Sequence, residues 1–280
     1  MFDTQLSTWK HYLAGQEASP ALAQPFTDAV APFLAFLQEQ DMTAPAGITP
    51  DLVGAWRKAL QHGEAVPQPG GLVPSLQFFA LRCFLRYLER SGDLPTDPAA
   101  KLTPLPMSGR ESAQELTALE AQALLLAPDL ATDDPSSLMR SLGWRDRAAM
   151  DLLYRTGVRP RQLLKMKVSA IPLGDLYIPG RPPTTARVAL AADPHPWVET
   201  WIRTARPRLA TDQSPDTLFL KPDGTALDGA GLAALVANAA RQAGIPNRVS
   251  PTTLTRSGVE ERRQRALRAL RAKGLDICLT

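Results

Sequence analysis

The sequence predicts a mainly α protein in two helical parts, the second carrying a small β-hairpin or sheet. Three observations lead there. Apolar residues recur at helical spacing through much of the first hundred residues. A proline-rich stretch without periodicity, "LPTDPAAKLTPLPMSGR" (Leu94–Arg110), follows. Helical patterning then returns, broken by two strand-like pieces at Leu176–Ile178 and Ala186–Leu190. These divide the chain into a helical domain over 1–100, a linker over 101–112 and a larger domain over 113–280.

In the first part, Phe26, Val30, Phe33, Leu34 and Leu37 form one helical face. "DLVGAWRKAL" follows a proline, with Asp51 as its expected N-cap. "QHGEAVPQPGG" (Gln61–Gly71) reads as a loop. The strongest pattern is "PSLQFFALRCFLRYLERSG" (Pro74–Gly92), where Leu76, Phe79, Leu81, Phe84, Leu85 and Leu88 make the buried stripe. Arg82, Arg86 and Arg90 recur on another face, as a row of cations that suits either a phosphate backbone or a solvated surface.

The second part opens with "ELTALEAQALL", where Thr117 and Glu120 have capping-box spacing. "WRDRAAMDLLYRTGVRPRQLLKM" (Trp144–Met166) reads as two helices separated by a Thr-Gly turn. The strand-like pieces flank a tip too rich in proline to continue a sheet. "PWVETWIRTARPRL" places Trp197 and Trp201 one turn apart, a spacing that suits core packing better than base stacking. The last helical pattern, "SPTTLTRSGVEERRQRALRALRAKG", carries Arg256, Arg262, Arg263, Arg265, Arg268, Arg271 and Lys273 with Glu260 and Glu261.

Of 280 residues, 44% are hydrophobic, enough for a sizeable core, and the net charge of +3 is a modest excess whose placement matters more than its size. Two cysteines and three scattered histidines leave metal chemistry without a ligand set, and no metal or other cofactor is expected. Phosphate-cradling glycine loops and G-x-S-x-G are absent. The N-terminus lacks a signal-peptide layout and no apolar run has the length of a membrane span, so the expected place is the cytoplasm, at the nucleoid when bound to DNA. What remains are arginines at turns and helix starts: Arg159 after Thr-Gly, Arg181 and Arg187 around the hairpin, and the terminal group.

The order of "LRCFLRYLERSGDLPTDPAAKL", "ELTALEAQALL", "RDRAAMDLLYRTGVRPRQLLKM", "LYIPGRPPTTARVAL", "LFLKPDGTAL" and "AARQAGIPNRVSPTTL" resembles the tyrosine recombinases, or phage-integrase family, of the bacterial chromosome-dimer-resolution type. The resemblance implies a core-binding-like helical domain and a catalytic domain that together clamp DNA. In the family a tyrosine attacks a phosphodiester, two arginines hold the phosphate, and a lysine and a histidine assist proton transfer.

Carried over, Arg159 matches the first clamping arginine and Gln162 stands where an acidic residue is typical. Arg181 replaces the hairpin lysine, and a guanidinium with a pKa above about 12 is a poor proton donor. The family's His-x-Leu-Arg-His pattern falls without gaps on Thr252, Thr253, Leu254, Thr255 and Arg256; sliding by one puts Arg256 at the arginine position and forfeits the leucine. Tyr12, Tyr87, Tyr154 and Tyr177 all precede the place of the nucleophile.

The sequence reading is therefore a catalytically degenerate recombinase-like protein, diverged or truncated at its C-terminus, that binds duplex or branched DNA without cutting it. Its expected DNA-contacting residues are Arg82, Arg86, Arg90, Arg159, Arg181, Arg187, Arg256, Arg262 and Arg263. A homo-oligomer or a recombinase-like protein is the further partner expected, and no membrane. Two alternatives stay open: a divergent active recombinase forming a covalent DNA intermediate, and a structural or protein-interaction module that keeps only the fold.

Overall fold

A computed structural model describes residues 2–16, 23–42, 44–63, 73–105, 115–130, 138–170, 175–177, 187–189, 196–245 and 249–272. The protein is mainly α, and its backbone contacts sort into two units. Unit 1 comprises Met1–Ser112, Gln122–Leu130 and Asn238–Asn247; unit 2 comprises Ala113–Ala121, Ala131–Ala237 and Arg248–Thr280. Two short segments from beyond residue 112 thus join the first unit.

Unit 1 contains α1 (Asp3–Gln16), α2 (Ala23–Glu39), α3 (Pro50–His62) and α4 (Pro74–Ser91). Helix α4 packs on the other three. Its expected stripe is buried, and Phe78 and Ala80 are buried as well, so hydrophobic contact surrounds it on most sides. Aromatic rings tie the helices together, with Trp9 5.1 Å from Phe84, Phe26 6.4 Å from Phe79 and Phe33 5.7 Å from Trp56.

The cap of α3 is Thr49, not Asp51. The Thr49 hydroxyl accepts from the Leu52 amide at 3.3 Å, Pro50 takes the first helical position, and Asp51 sits in the first turn. Proline is favoured at that position because its missing N–H would have had no partner there, which pushes the cap one residue upstream of it.

The first part of the proline-rich stretch, Leu94–Leu105, is packed structure. Leu94, Ala99 and Leu105 are buried. The Asp97 carboxylate accepts from the Ala99 amide at 2.8 Å, and Arg57 donates to the Thr103 carbonyl at 3.0 Å. Burial raises the Asp97 carboxyl above its ordinary range, against the lowering effects of the Ala99 amide and Arg86. Residues 106–114 lie outside the described part.

Unit 2 begins with the capping box read from the sequence. The Thr117 amide donates to the Glu120 carboxylate at 2.7 Å and the Glu120 amide to the Thr117 hydroxyl at 3.2 Å, opening α5 (Ala118–Leu126). Gln122–Leu130, the remainder of α5 and a 3-10 turn over Ala127–Leu130, belongs to unit 1.

At the centre of unit 2 is α6 (Leu138–Thr156), with Ala148, Ala149, Met150, Leu152 and Leu153 fully buried. A short α7 (Pro160–Leu163) follows the Thr-Gly turn. The hairpin is a two-stranded antiparallel pair, β1 (Asp175–Tyr177) and β2 (Arg187–Ala189), with Leu176 opposite Val188.

Helices α8 (Pro196–Thr200) and α9 (Arg206–Leu209) are joined by a π-helical turn over Trp201–Ala205, and α8 and this turn pack on α6. Trp201 is fully buried, donates its indole N–H to the Leu218 carbonyl at 2.8 Å and stacks on Phe219. Trp197 carries the buried Arg147 guanidinium 4.7 Å from its ring centroid. Both rings are thus engaged by the protein itself. Helix α10 (Gly229–Gln242) has its last residues in unit 1, and α11 (Pro251–Ala272) packs along α6. Among the described residues no helix is long and apolar enough to cross a membrane.

Candidate nucleic-acid interface

In unit 2 the turn between α6 and α7 is closely held. Gly157 adopts φ 70°, the left-handed conformation that ends a helix and is open to glycine at little cost. Val158 is buried, and Arg159 caps α7 with its side chain exposed. Gln162, a neutral amide where an acidic residue is typical, closes onto the backbone of the turn. Its side-chain oxygen accepts from the Arg159 backbone amide at 3.3 Å.

Helix α11 starts at Pro251, with the Ser250 hydroxyl accepting from the Thr253 amide at 3.1 Å. Thr255, Gly258, Val259 and Arg262 then follow at i, i+3, i+4 and i+7, which puts them on one helical face. This face meets the end of α6. The Thr255 hydroxyl lies 3.2 Å from the Val158 carbonyl and 3.0 Å from that of Pro251, the two acceptors sharing its one hydrogen. A methyl group at Gly258 would stand 1.9 Å from the Tyr154 carbonyl oxygen, so the backbones touch there.

One turn on, the Arg262 guanidinium donates at 2.5 Å to the carbonyls of Tyr154 and Arg155. Burial lowers its pKa, partly offset by Tyr154 and Glu261 beside it. The Tyr154 hydroxyl donates to the Glu261 carboxylate, and the ring is 9% exposed, which keeps this tyrosine inside the packed junction.

The residues singled out from the sequence fall into distinct environments. Arg159 and Arg256 are exposed, and the Val158–Thr255 contact makes their backbones neighbours. Thr252 is exposed at the start of α11. Arg263 is exposed and paired with Glu260 at 3.3 Å, while Arg265 pairs with Glu261 at 2.9 Å. Two of the arginines on α11 are therefore matched by carboxylates of the same helix. Arg181 lies outside the described residues; Arg187 is in β2, and nothing is described of its side chain.

The expected row on α4 is not one surface. Arg90 is exposed, but Arg86 is 5% exposed, paired with Glu89 at 3.0 Å and 3.9 Å from Asp97, and it donates to the Leu130 carbonyl at 3.5 Å. Arg82 is half-buried and donates to the Gln242 carbonyl at the end of α10, at 3.3 Å. Burial also lowers its pKa. Arg82 and Arg262 thus cap helix C-termini, where carbonyls lack intrahelical donors. Arg86 and Arg90 also border a cavity of about 230 Å³ in unit 1, walled by Trp9, Tyr12, Leu13, Tyr87, Leu126 and Leu130.

Arg161, Lys165 and Lys167, not singled out from the sequence, are exposed along α7 and the turn after it. Their signal was present in "RPRQLLKMK", where cations alternate with the buried Leu163 and Met166.

Comparison with known proteins adds the family. Tyrosine recombinase XerD of Lacticaseibacillus casei is 29% identical over 231 residues, 80% of this chain and 72% of that protein. XerD of Xanthomonas axonopodis pv. citri is 33% identical over 186 residues, 63% of this chain and 58% of that protein. XerD of Pseudomonas putida is 30% identical over 176 residues, 62% and 56% respectively, so the matches span under two thirds of the latter two relatives. The crystal structure of XerA recombinase aligns over 95% of this chain and 86% of that one, at 20% identity and a TM-score of 0.45. The family profile for phage integrases matches residues 114–262, a span from before α5 to the Arg262 contact that takes in more than half of the sequence, and the chain therefore belongs to the phage integrase family.

Proposed function

We propose that this protein binds duplex or branched DNA through exposed cations of unit 2, chiefly Arg159 and Arg256 with Arg161 and Lys165 beside them, and does not cleave it. The observation that carries the reading is the Thr255 contact. In the gapless register Leu254 takes the pattern's apolar place and is fully buried, while Arg256 points to solvent. Thr255 then stands where the family has its second clamping arginine, and its hydroxyl is engaged by main-chain carbonyls.

A neutral hydroxyl so engaged supplies no cation to a phosphate that gains charge during attack. Loss of a single such donor costs about 10²–10³ in rate in well-studied enzymes. Thr252, in place of the histidine, neither ionises nor takes up a proton near neutral pH, and Arg181, in place of the lysine, holds its proton too tightly to donate it. Three substitutions inside the matched region thus take away one of the two clamping cations and both proton-transfer groups. The same exposed guanidiniums remain suited to resting phosphates, which require charge and hydrogen-bond donors but no chemistry.

Fluorescence anisotropy with labelled duplex, four-way junction and single strand tests the binding half. The logarithm of the affinity should fall linearly with the logarithm of salt concentration, with a slope of about −0.9 for each phosphate neutralised on duplex. Absence of binding to all three at low salt contradicts the proposal.

A further inference from the structure

We infer that Arg262 is a positioning residue for this surface: by holding the carbonyls that end α6 it fixes the turn presenting Arg159, and it makes no phosphate contact of its own. The inference rests on the DNA-binding reading but uses separate geometry. The turn from Thr156 to Arg159 is fastened to α11 at two points seven residues apart on that helix. Thr255 holds the Val158 carbonyl and Arg262 holds those of Tyr154 and Arg155. Between them Gly258 lets the helices touch at Tyr154.

Gly157 completes the arrangement. A methyl group there would stand 2.6 Å from one Arg262 nitrogen and 2.9 Å from a Val259 methyl. The glycine therefore provides both the left-handed turn and the space for the guanidinium. With Nη1 directed at two carbonyls and the side chain half-buried, Arg262 is oriented into the protein. Arg159, beyond the second fastening, is left facing solvent. A cation at a helix C-terminus also interacts favourably with the partial negative charge of the terminal carbonyls.

The salt dependence of binding separates a positioning residue from a phosphate ligand. Removing a phosphate ligand reduces the steepness by about 0.9, whereas removing a residue that only orders the turn lowers affinity by the cost of ordering it on binding, Arg159 still reaching its phosphate, and leaves the steepness unchanged. Arg262→Gln is expected to weaken duplex binding about tenfold at fixed salt with the wild-type slope, and to speed hydrogen exchange at the Gly157–Arg159 amides about tenfold. Gly157→Ala, which strains the left-handed turn and displaces the guanidinium without changing charge, should lower affinity at least as much and keep the wild-type slope.

A shallower slope in Arg262→Gln with unchanged exchange makes Arg262 a phosphate ligand and overturns the inference. Wild-type affinity and exchange in that variant overturn it too. If the wild-type protein binds no DNA, the functional reading fails by itself, and exchange alone then decides whether Arg262 holds the turn. Should Arg262→Gln not fold, Arg262→Lys keeps a cation and a donor for one carbonyl; exchange at the turn faster than wild type supports the inference, and wild-type exchange refutes it.

Discussion

Gly258→Ala is expected to lower the stability of unit 2 by about 3 kcal/mol or more, toward and beyond the upper end of overpacking costs. The added methyl would lie 1.9 Å from the Tyr154 carbonyl oxygen, 2.6 Å from its carbon and 2.8 Å from its Cα. All three atoms are backbone, so no side-chain rotation relieves the clash, and α11 must move off α6. For a unit of this size, 3 kcal/mol corresponds to a fall in the midpoint of thermal unfolding of about 6–12 °C, measurable by calorimetry. Gly54→Ala is the control. It lies inside α3 with nothing within 4 Å of the added carbon, and should stabilise by about 0.5–1 kcal/mol by favouring helix over the unfolded chain. An equal effect of the two substitutions would show that α6 and α11 are not in contact at Gly258.

Arg159→Gln should leave stability unchanged and remove one phosphate contact. Its guanidinium is exposed, and the main-chain bond from Arg159 to Gln162 survives the change. At fixed moderate salt the affinity for duplex should fall about tenfold or more, and the salt slope should become shallower by about 0.9. Arg86→Gln should do the reverse. It leaves Glu89 and Asp97 without their buried cation, so unit 1 loses about 3 kcal/mol in denaturant unfolding while the salt slope stays as in the wild type. If the two variants exchanged these effects, the cation surface would lie on α4 instead of at the α6–α7 turn.

The helical stripes, the Thr117–Glu120 capping box, the Thr-Gly break and the paired strands were legible because each depends on residues close in sequence. Apolar period, cap spacing and turn chemistry are local properties. The caps of α3 show the limit of that reading. Threonine and aspartate both cap well, and the position of Pro50 decides between Thr49 and Asp51.

The arginines were harder for a different reason. A guanidinium presents the same donors to a phosphate oxygen and to the carbonyl at a helix end. Arg82, Arg86 and Arg262 all find carbonyls contributed by segments distant in the sequence: Gln242, Leu130 and Tyr154 with Arg155. Helical spacing marks such residues as forming a row but does not reveal what faces the row. Gly258 was illegible for the same reason, since its neighbour Tyr154 is about a hundred positions earlier and nothing in "RSGVEE" signals a close helix crossing. Arg159 stood out because a turn glycine and a helix start converge on it locally.

The central claim separates binding from strand cleavage, and a nicked suicide duplex tests it most directly. On such a substrate an active recombinase becomes trapped as a covalent protein–DNA adduct that survives denaturation. The account predicts a salt-sensitive complex on native gels and no adduct on denaturing gels, even after long incubation at low salt. A denaturation-resistant adduct would contradict it, and would show that this chain assembles a nucleophile and a phosphate clamp despite Thr252, Thr255 and Arg181.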